Sequence, residues 1–205
     1  MKGAGTKPAT TQPAAKTSTL QRVGPIAITV LAMAFVAVRF VGGARDTLAR
    51  TRDGACVALQ PDPLPEALRN GATPDFQLPD AAGHTVSLSQ QKGHPVLLNF
   101  WATWCPPCVD EVPSLEDLAR RLKGTDIRML AVSVDDEWDQ IRRFFAKGSD
   151  IGVLLDVSHD IPKKFGTEKY PETFLIDAAG RVRYYFINKR DWGRPEAIAC
   201  LESLR

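Results

Sequence analysis

The chain has 205 residues, 44% of them hydrophobic, which is enough for one well-packed domain with a tail and not obviously enough for two. Its formal net charge is +2, but four basic residues and no acid lie in the first 24 positions, leaving 22 basic and 24 acidic residues elsewhere. That balance gives no sign of a nucleic-acid-binding surface. Four cysteines, only two of them close together, suit neither a disulfide-dense miniprotein nor a zinc ribbon.

The N-terminal region predicts a tail followed by a membrane segment. Residues 1–24 are rich in Thr, Ala, Pro and Lys and have little to bury, which predicts disorder. Residues 25–41 read PIAITVLAMAFVAVRFV, and as a helix they would rise roughly 25 Å against a hydrocarbon core of ~30 Å. We expect a transmembrane anchor in which Arg39 snorkels outward. A cleaved signal peptide is the alternative; a buried core helix is disfavoured because the run shows no polar face.

Either interpretation exports the rest of the chain, although basic residues are equally numerous on both sides of the run and do not set its orientation. Residues 42–73 include LQPDPLPEALRNGATP and predict a Pro-containing linker. The globular domain is expected over residues 74–205. It opens with DFQLPDAAGHTVSLS, whose two short alternating segments around a small turn are typical of a β-hairpin.

The remaining elements alternate between strands and helices. A near-continuous apolar run, PVLLNFWA (residues 95–102), predicts a central strand covered on both faces. Further strands are predicted from IRMLAVSVD, GVLLD, TFLID and VRYYFI, and helices from VPSLEDLARRLKG, EWDQIRRFFAKG and RPEAIACLESLR. This order indicates an α/β fold with a mixed sheet.

Two cysteines lie in NFWATWCPPCVDEVP, where a strand is expected to become a helix. A thiol at this point lies near backbone N–H groups and the positive end of the helix dipole, which favour the reactive thiolate. Cys105 is therefore the predicted nucleophile, and Cys108 the resolving thiol that leaves a Cys105–Cys108 disulfide. The alternatives are two inert thiols or half of a metal site, but His84, His94 and His159 have no ligand spacing to the pair.

The segment FWATWCPPC, followed by Pro113 and by YPETFLID at residues 170–177, resembles the thioredoxin fold. It is most similar to the exported, membrane-tethered thiol-disulfide oxidoreductases of the TlpA, ResA and CcmG (DsbE) type, over Asp75–Arg205. The resemblance implies a central mixed β-sheet flanked by helices, with an N-terminal hairpin extension. It also implies a single-pass protein of the inner (cytoplasmic) membrane that reduces protein disulfides in the periplasm or outside the cell, commonly in apocytochrome c or its maturation partners. Electrons would come from a membrane thiol donor of the DsbD/CcdA type, and no bound cofactor is required.

The resemblance also assigns a proton partner to the thiols. Glu111 stands one helical turn beyond Cys108 and matches the acid that follows the CxxC in the ResA-like branch, which implies that it manages the proton of the resolving thiol. The alternative is a solvated carboxylate in the first turn of the helix, favoured by the dipole. Asn99 occupies the strand position where thioredoxins carry a buried acid, which leaves Glu111 as the expected proton partner.

Three further residues are implied to meet the client. Pro171 matches the proline that follows a cis peptide bond in the family, a bond that would expose the backbone of Tyr170 for pairing with an extended client segment. Trp104, beside the nucleophile, is expected to cover it and touch the client, whereas Trp101 is expected in the core.

Cys56 and Cys200 are left over from the redox motif. A disulfide between them would clamp the linker to the domain and, closing so long a loop, would contribute ~4–5 kcal/mol. Two unpaired thiols, or pairing between chains, are the alternatives.

Two other functions stay open at this point. One is a peroxiredoxin-like peroxidase, although no Pro-x-x-x-Thr-x-x-Cys element surrounds any cysteine. The other is a copper metallochaperone that would add a histidine such as His159 to the cysteines, against which the thiol-exchange pattern of CxxC with Pro113 and PETFLID argues. Finally, Pro106 and Pro107 lack backbone N–H groups that would stabilise a Cys105 thiolate, which favours a reductant over an oxidant.

Overall fold

The computed structural model describes residues 30–39 and 54–205, and the chain divides into two units, Met1–Thr47 and Leu48–Arg205. In the first unit, residues 30–39 form a helix. The predicted tail over residues 1–24 and the ends of the predicted anchor lie outside the described residues. Within the two described ranges, no helix combines the length and the apolar character needed to cross a membrane.

The second unit is an α/β domain. Its strands are β1 (Gln77–Pro79), β2 (Thr85–Ser87), β3 (Val96–Trp101), β4 (Arg128–Ser133), β5 (Val153–Leu155), β6 (Glu172–Ile176) and β7 (Val182–Ile187). Its α-helices are α1 (Pro106–Leu122), α2 (Trp138–Phe144), α3 (Asp160–Phe165) and α4 (Pro195–Ser203), with 3-10 turns at Glu66–Leu68 and Ser89–Gln91. A further helical turn covers residues 54–58.

Five strands form the central sheet in the order β5-β4-β3-β6-β7. Strands β3, β4 and β5 run parallel, whereas β6 is antiparallel to both β3 and β7, so the mixed sheet predicted from the element order is confirmed. The predicted hairpin is the separate pair β1–β2, whose turn places Gly83 at φ +85°, a conformation that suits glycine.

Strand β3 is buried along its whole length because helices or the hairpin cover both faces of the sheet. One face carries Leu97 into a core with α1 and α4. The other carries Leu98 and Phe100 against Phe165 of α3 and the hairpin. This two-sided burial explains why the strand reads as a continuous apolar run.

The predicted linker over residues 42–73 differs from the structure in its second half. Leu59 and Leu68 are buried, and Asp62 forms an antiparallel bridge with Tyr185 at the edge of β7. Residues 54–73 therefore belong to the folded unit rather than to a free spacer. Apolar side chains spaced among prolines allow an irregular segment to pack without regular secondary structure, and local composition does not distinguish this case from a linker.

Candidate active site

The carboxyl end of β3 places Cys105 at the head of α1. Cys105 is the N-cap of the helix and Pro106 is its first residue. Proline is tolerated at this position, because a backbone N–H in the first turn would have no acceptor within the helix. The structure contains a Cys105–Cys108 disulfide, and both residues are buried, at 4% and 1% exposure.

A single donor of the first turn reaches the Cys105 sulfur. The backbone N–H of Cys108 donates to Cys105 Sγ at 3.3 Å, while Pro106 and Pro107 have no N–H to offer. The sequence-based argument that prolines limit the donors around this sulfur therefore matches the geometry of the turn.

A buried carboxylate that the sequence analysis missed, Asp135, fixes Thr103 in the segment between β3 and Cys105. Asp135 is fully buried and accepts hydrogen bonds from the backbone N–H of Thr103 at 3.1 Å and its hydroxyl at 2.7 Å, and from Ser133 Oγ at 2.6 Å. Because β3 and β4 are parallel neighbours, their carboxyl ends meet at one edge of the sheet. An acid directly after the apolar run of β4 was the signal available in the sequence.

Glu111 lies on α1 three residues beyond Cys108, on the same face of the helix. It is 2% exposed, so it is not the solvated carboxylate of the alternative interpretation. Its Oε1 accepts the backbone N–H of Arg190 at 2.8 Å and the indole N–H of Trp192 at 2.7 Å. Its Oε2 accepts Asn99 Nδ2 at 3.2 Å. The loop that follows β7 thus supplies two of these three donors, which the sequence analysis did not find.

Asn99 connects Glu111 to the strand beside it. Its Nδ2 also donates to Thr173 Oγ1 at 2.9 Å, across the β3–β6 pair where these two residues are directly opposite. An amide in this place is neutral and hydrogen-bonds the carboxylate, whereas a second acid would repel it. In this network of Glu111, Asn99 and Thr173, Glu111 is the one ionisable side chain.

Burial raises the pKa of Glu111 from 4.5 to about 7, against the opposing effect of its three hydrogen-bond donors and the Arg190 charge. A carboxyl group with such a pKa is divided between its two protonation states at neutral pH. It can therefore both accept and return a proton under ordinary conditions.

This pKa has a consequence for stability. Between pH 4.5 and about 7 the folded state holds a proton on Glu111 that the unfolded state has lost, so the free energy of unfolding should fall as pH rises through this window. The stabilisation of about 3 kcal/mol is fully present below pH 4.5, and its loss is complete above about pH 7. Urea unfolding of the oxidised protein at pH 4.5 and pH 8 should show a smaller loss in Glu111→Gln than in the unmodified chain.

The matched control is Asp110→Asn, the neighbouring exposed acid that pairs with Lys189 at 2.7 Å. It should keep the pH dependence of the unmodified chain. Burial also raises the pKa of Glu172, but this effect is common to all three proteins and cancels in the comparison. Equal pH dependence in Glu111→Gln and the unmodified chain would contradict the assignment.

An aromatic pair flanks the disulfide at the surface. Trp104 is 57% exposed, and its ring makes an edge contact with Tyr170 at 6.2 Å between centroids. The Tyr170–Pro171 peptide bond is cis, and the Pro171 carbonyl accepts the N–H of Asn188 at 2.9 Å. The structure thus brings the three predicted client-binding residues to the edge of the sheet that carries the cysteines. Trp101 is buried against Phe144 and Phe145.

The second disulfide joins Cys56 to Cys200 of α4 within one chain, 144 residues apart. Both residues are fully buried. In the described part of the chain, no group of three or more His, Cys, Asp and Glu side chains is arranged to hold a metal ion.

A mixed sheet with a CxxC disulfide at the head of a helix, a buried carboxylate one turn further on and a cis proline beside them defines a thiol-disulfide oxidoreductase of the thioredoxin fold. A model of the AhpC/TSA family matches residues 70–185, and the chain belongs to this family. It is 35% identical to the thiol-disulfide oxidoreductase ResA of Geobacillus kaustophilus over 119 residues, 57% of this chain and 68% of that protein. It is 34% identical to the thiol:disulfide interchange protein DsbE of Vibrio cholerae over 142 residues, 64% of this chain and 73% of the relative.

Solved structures agree. A Chlorobium tepidum crystal structure that bears the name thiol:disulfide interchange protein DsbE is 28% identical, with a TM-score of 0.57, covering 71% of this chain and all of that one. The exposed lipoprotein thioredoxin Etrx1 of Streptococcus pneumoniae is 29% identical, with a TM-score of 0.52, covering 64% of this chain and 98% of the other. The protein is thus a thiol-disulfide oxidoreductase of the ResA/DsbE type.

Proposed function

We propose that this oxidoreductase is tethered to the cytoplasmic membrane by residues 25–41 and reduces protein disulfides outside the cytoplasm. The apolar run supports the tether, and the buried Cys56–Cys200 disulfide supports export, because structural disulfides persist in oxidising compartments. The resemblance of the WCPPC and PETFLID segments to the TlpA, ResA and CcmG type supports apocytochrome c or a maturation partner as client. It likewise supports a membrane dithiol of the DsbD/CcdA type as electron donor.

The catalytic cycle begins with the reduced protein. The Cys105 thiolate attacks one sulfur of the client disulfide, the client S–S bond breaks, and the departing client sulfur takes up a proton. The product is a mixed disulfide between Cys105 and the client. Trp104 and Tyr170 border the attacking sulfur, so an extended client segment can lie along this aromatic edge.

The second step resolves the mixed disulfide, and the buried Glu111 is the observation that carries the proposal. The Glu111 carboxylate takes the proton from the Cys108 thiol, whose thiolate then attacks Cys105 Sγ and breaks its bond to the client. The second client sulfur leaves as a thiolate and takes up a proton, and Glu111 gives up the proton that it accepted. The protein is left with the Cys105–Cys108 disulfide seen in the structure. Two electrons and two protons from the donor dithiol restore the reduced form.

The role of Glu111 predicts a specific change in pH dependence. In the unmodified chain the resolution rate should rise with pH to a plateau above about 7, where Glu111 is ionised. In Glu111→Gln the rise should move towards the ordinary thiol range near ~8.5, with resolution at pH 7 slowed by about 10²-fold. The mixed disulfide with a cysteine peptide is formed and held at acid pH, where Cys108 stays protonated, and a stopped-flow jump to each test pH isolates this step.

Asp110→Asn again serves as the control and should leave the profile unchanged, since Asp110 is exposed and pairs with Lys189. Thermal unfolding of each variant establishes that the fold is kept. A Glu111→Gln profile superimposable on that of the unmodified chain would remove Glu111 from the mechanism.

The client is identified by trapping. A Cys108→Ala variant expressed in cells should accumulate mixed disulfides on Cys105, and reducing gels with mass spectrometry should recover apocytochrome c or a maturation partner. A Cys105→Ala/Cys108→Ala variant is the control for nonspecific capture. Recovery of cytoplasmic proteins alone would refute the proposed compartment.

Membrane attachment has its own test. Alkaline phosphatase fused after residue 205 should be active and sediment with membranes, and deletion of residues 25–41 should abolish this activity. Release of an active fusion lacking the N-terminal segment would identify a cleaved signal instead.

An insulin-reduction assay with and without added copper separates disulfide exchange from metal delivery. A thiol-disulfide oxidoreductase turns insulin over, whereas the delivery of a metal requires no reduction of insulin.

A further inference from the structure

The loop after β7, residues 188–192, is the source of two hydrogen bonds to Glu111. The loop is also fastened to α1 near this carboxyl group. Ser114 Oγ donates to the Arg190 carbonyl at 3.3 Å and accepts the Trp192 N–H at 3.1 Å. The position of this loop therefore decides whether Glu111 keeps its two hydrogen-bond donors, the Arg190 N–H and the Trp192 indole N–H.

The Arg190 side chain ties this loop to a second segment, residues 54–62, which we name the N-terminal strap. Its Nε donates to the Leu59 carbonyl at 3.3 Å, and its Nη2 donates to the Gln60 carbonyl at 3.3 Å. Nη2 also forms an ion pair with Asp62 Oδ2 at 3.1 Å, while Nη1 donates to the Ile187 carbonyl at 2.8 Å. One guanidinium thus joins the strap to the end of β7.

The strap is itself held at both ends. The disulfide Cys56–Cys200 fixes its first turn to α4. At the other end the Asp62 N–H donates to the Tyr185 carbonyl at 2.7 Å, and Asp62 Oδ2 accepts the N–H of Ile187 at 2.8 Å. Leu59 is buried between these points. The strap is therefore an anchored frame for Arg190.

We propose that Arg190 is a positioning residue of the redox site: its side chain, clamped to the strap, holds the loop whose N–H groups bind the Glu111 carboxylate. The inference rests on the role of Glu111 as proton partner proposed above. The strap, Arg190 and Trp192 all lie outside the segment matched by the family, residues 70–185, so this arrangement is supplied by the flanking parts of the chain.

The charged and titratable groups around Glu111 are few. On α1 they are Cys108 and Cys105, which titrate only when reduced, and the exposed Asp110, which pairs with Lys189 of the loop. The loop also contributes the exposed Asp191, the Arg190 charge and the neutral indole of Trp192. Strands β3 and β6 contribute neutral Asn99 and Thr173. In the oxidised protein the titration of this site therefore belongs to Glu111.

Loss of the Arg190 guanidinium should change the protonation midpoint of Glu111 in a defined direction. The N–H donors and the positive charge favour ionised Glu111, so a loosened loop should shift its protonation midpoint to higher pH. The effect on catalysis would follow, because Glu111 would accept a proton from Cys108 only at higher pH.

The test uses the oxidised full chain and the indole N–H of Trp192, whose NMR shift should titrate with the carboxylate that it binds. Arg190→Gln should raise the midpoint by about one pH unit. Arg194→Gln, four residues further on and in an exposed pair with Glu196, is the matched control and should leave it unchanged. Equal midpoints in Arg190→Gln and the unmodified chain would overturn the proposal.

Two further variants keep the outcome interpretable. If Arg190→Gln does not fold, Asp62→Asn removes the strap carboxylate while keeping Arg190, and it should produce a smaller shift in the same direction; no shift would overturn the proposal. Glu111→Gln should abolish the titration of the Trp192 signal, which verifies the probe. Failure of Glu111 as proton partner would appear instead in the exchange kinetics of Glu111→Gln, independently of these midpoints.

Discussion

Replacement of Cys105 by Ser will reduce disulfide exchange to the background rate, a loss of at least about three orders of magnitude, because a hydroxyl cannot replace the thiolate as nucleophile. Replacement of Cys108 by Ser will leave the first attack intact, so that a mixed disulfide accumulates on Cys105. The basis is the position of Cys105 at the N-cap of α1, with the Cys108 N–H directed at its sulfur at 3.3 Å.

The two variants control each other, because each removes one sulfur from the same turn and neither can close the Cys105–Cys108 disulfide. Insulin reduction measures turnover, and intact-mass spectrometry of each variant after exposure to an oxidised cysteine peptide detects the adduct. Both should unfold at similar temperatures. Turnover by both variants would contradict the roles assigned to the two thiols, and an adduct that forms on the Cys105→Ser variant alone would reverse them.

The parts of the fold that the sequence predicted are those with local signals. Strand β3 reads as an apolar run because it is covered on both faces, and the redox turn is marked by two cysteines at fixed spacing. Helix α3 was missed: its six residues include Pro162 and are too short to establish a helical period.

The parts of the site that could not be predicted depend on contacts distant in sequence. The position of Glu111 on α1 was predictable, but its donors Arg190 and Trp192 come from a loop about 80 residues further on, with sequence separations of 79 and 81. No periodicity or motif links such a pair. The family resemblance did not provide them either, because the motifs that carry it, FWATWCPPC, Pro113 and YPETFLID, end at Asp177.

The strap shows the same limit for the N-terminal boundary of the domain. The prolines and polar residues of LQPDPLPEALRNGATP, which begins within the strap, are typical of a linker. The strap is fastened by single groups such as the Leu59 carbonyl and the Asp62 carboxylate, each bonded to a partner more than 120 residues away. Pairing of Cys56 with Cys200 was one of several possibilities in the sequence. The positions of the two cysteines in the sequence did not show whether they pair, because the fold decides which cysteines come close enough to form a disulfide.

The Cys56–Cys200 disulfide should account for a large share of the stability of the domain. It closes a loop of 144 residues, so the chain-entropy relation gives about 5 kcal/mol of stabilisation, acting on the unfolded state. Cys56→Ala/Cys200→Ala should therefore lower the free energy of unfolding by about this amount and the melting temperature by roughly 10–20 °C. Calorimetry and urea unfolding at pH 7 measure both quantities.

A control variant separates the contribution of this disulfide to stability from that of the Cys105–Cys108 disulfide. A Cys105→Ser/Cys108→Ser variant keeps the long-range bridge and loses only a loop with a separation of three residues, so it should remain much more stable than Cys56→Ala/Cys200→Ala. Reductant should destabilise this control to the level of the chain without Cys56 and Cys200. If removing the long-range bridge changes the free energy of unfolding by less than about 1 kcal/mol, then buried Leu59 and the Arg190 contacts alone hold the strap, and the disulfide is not what secures it to α4.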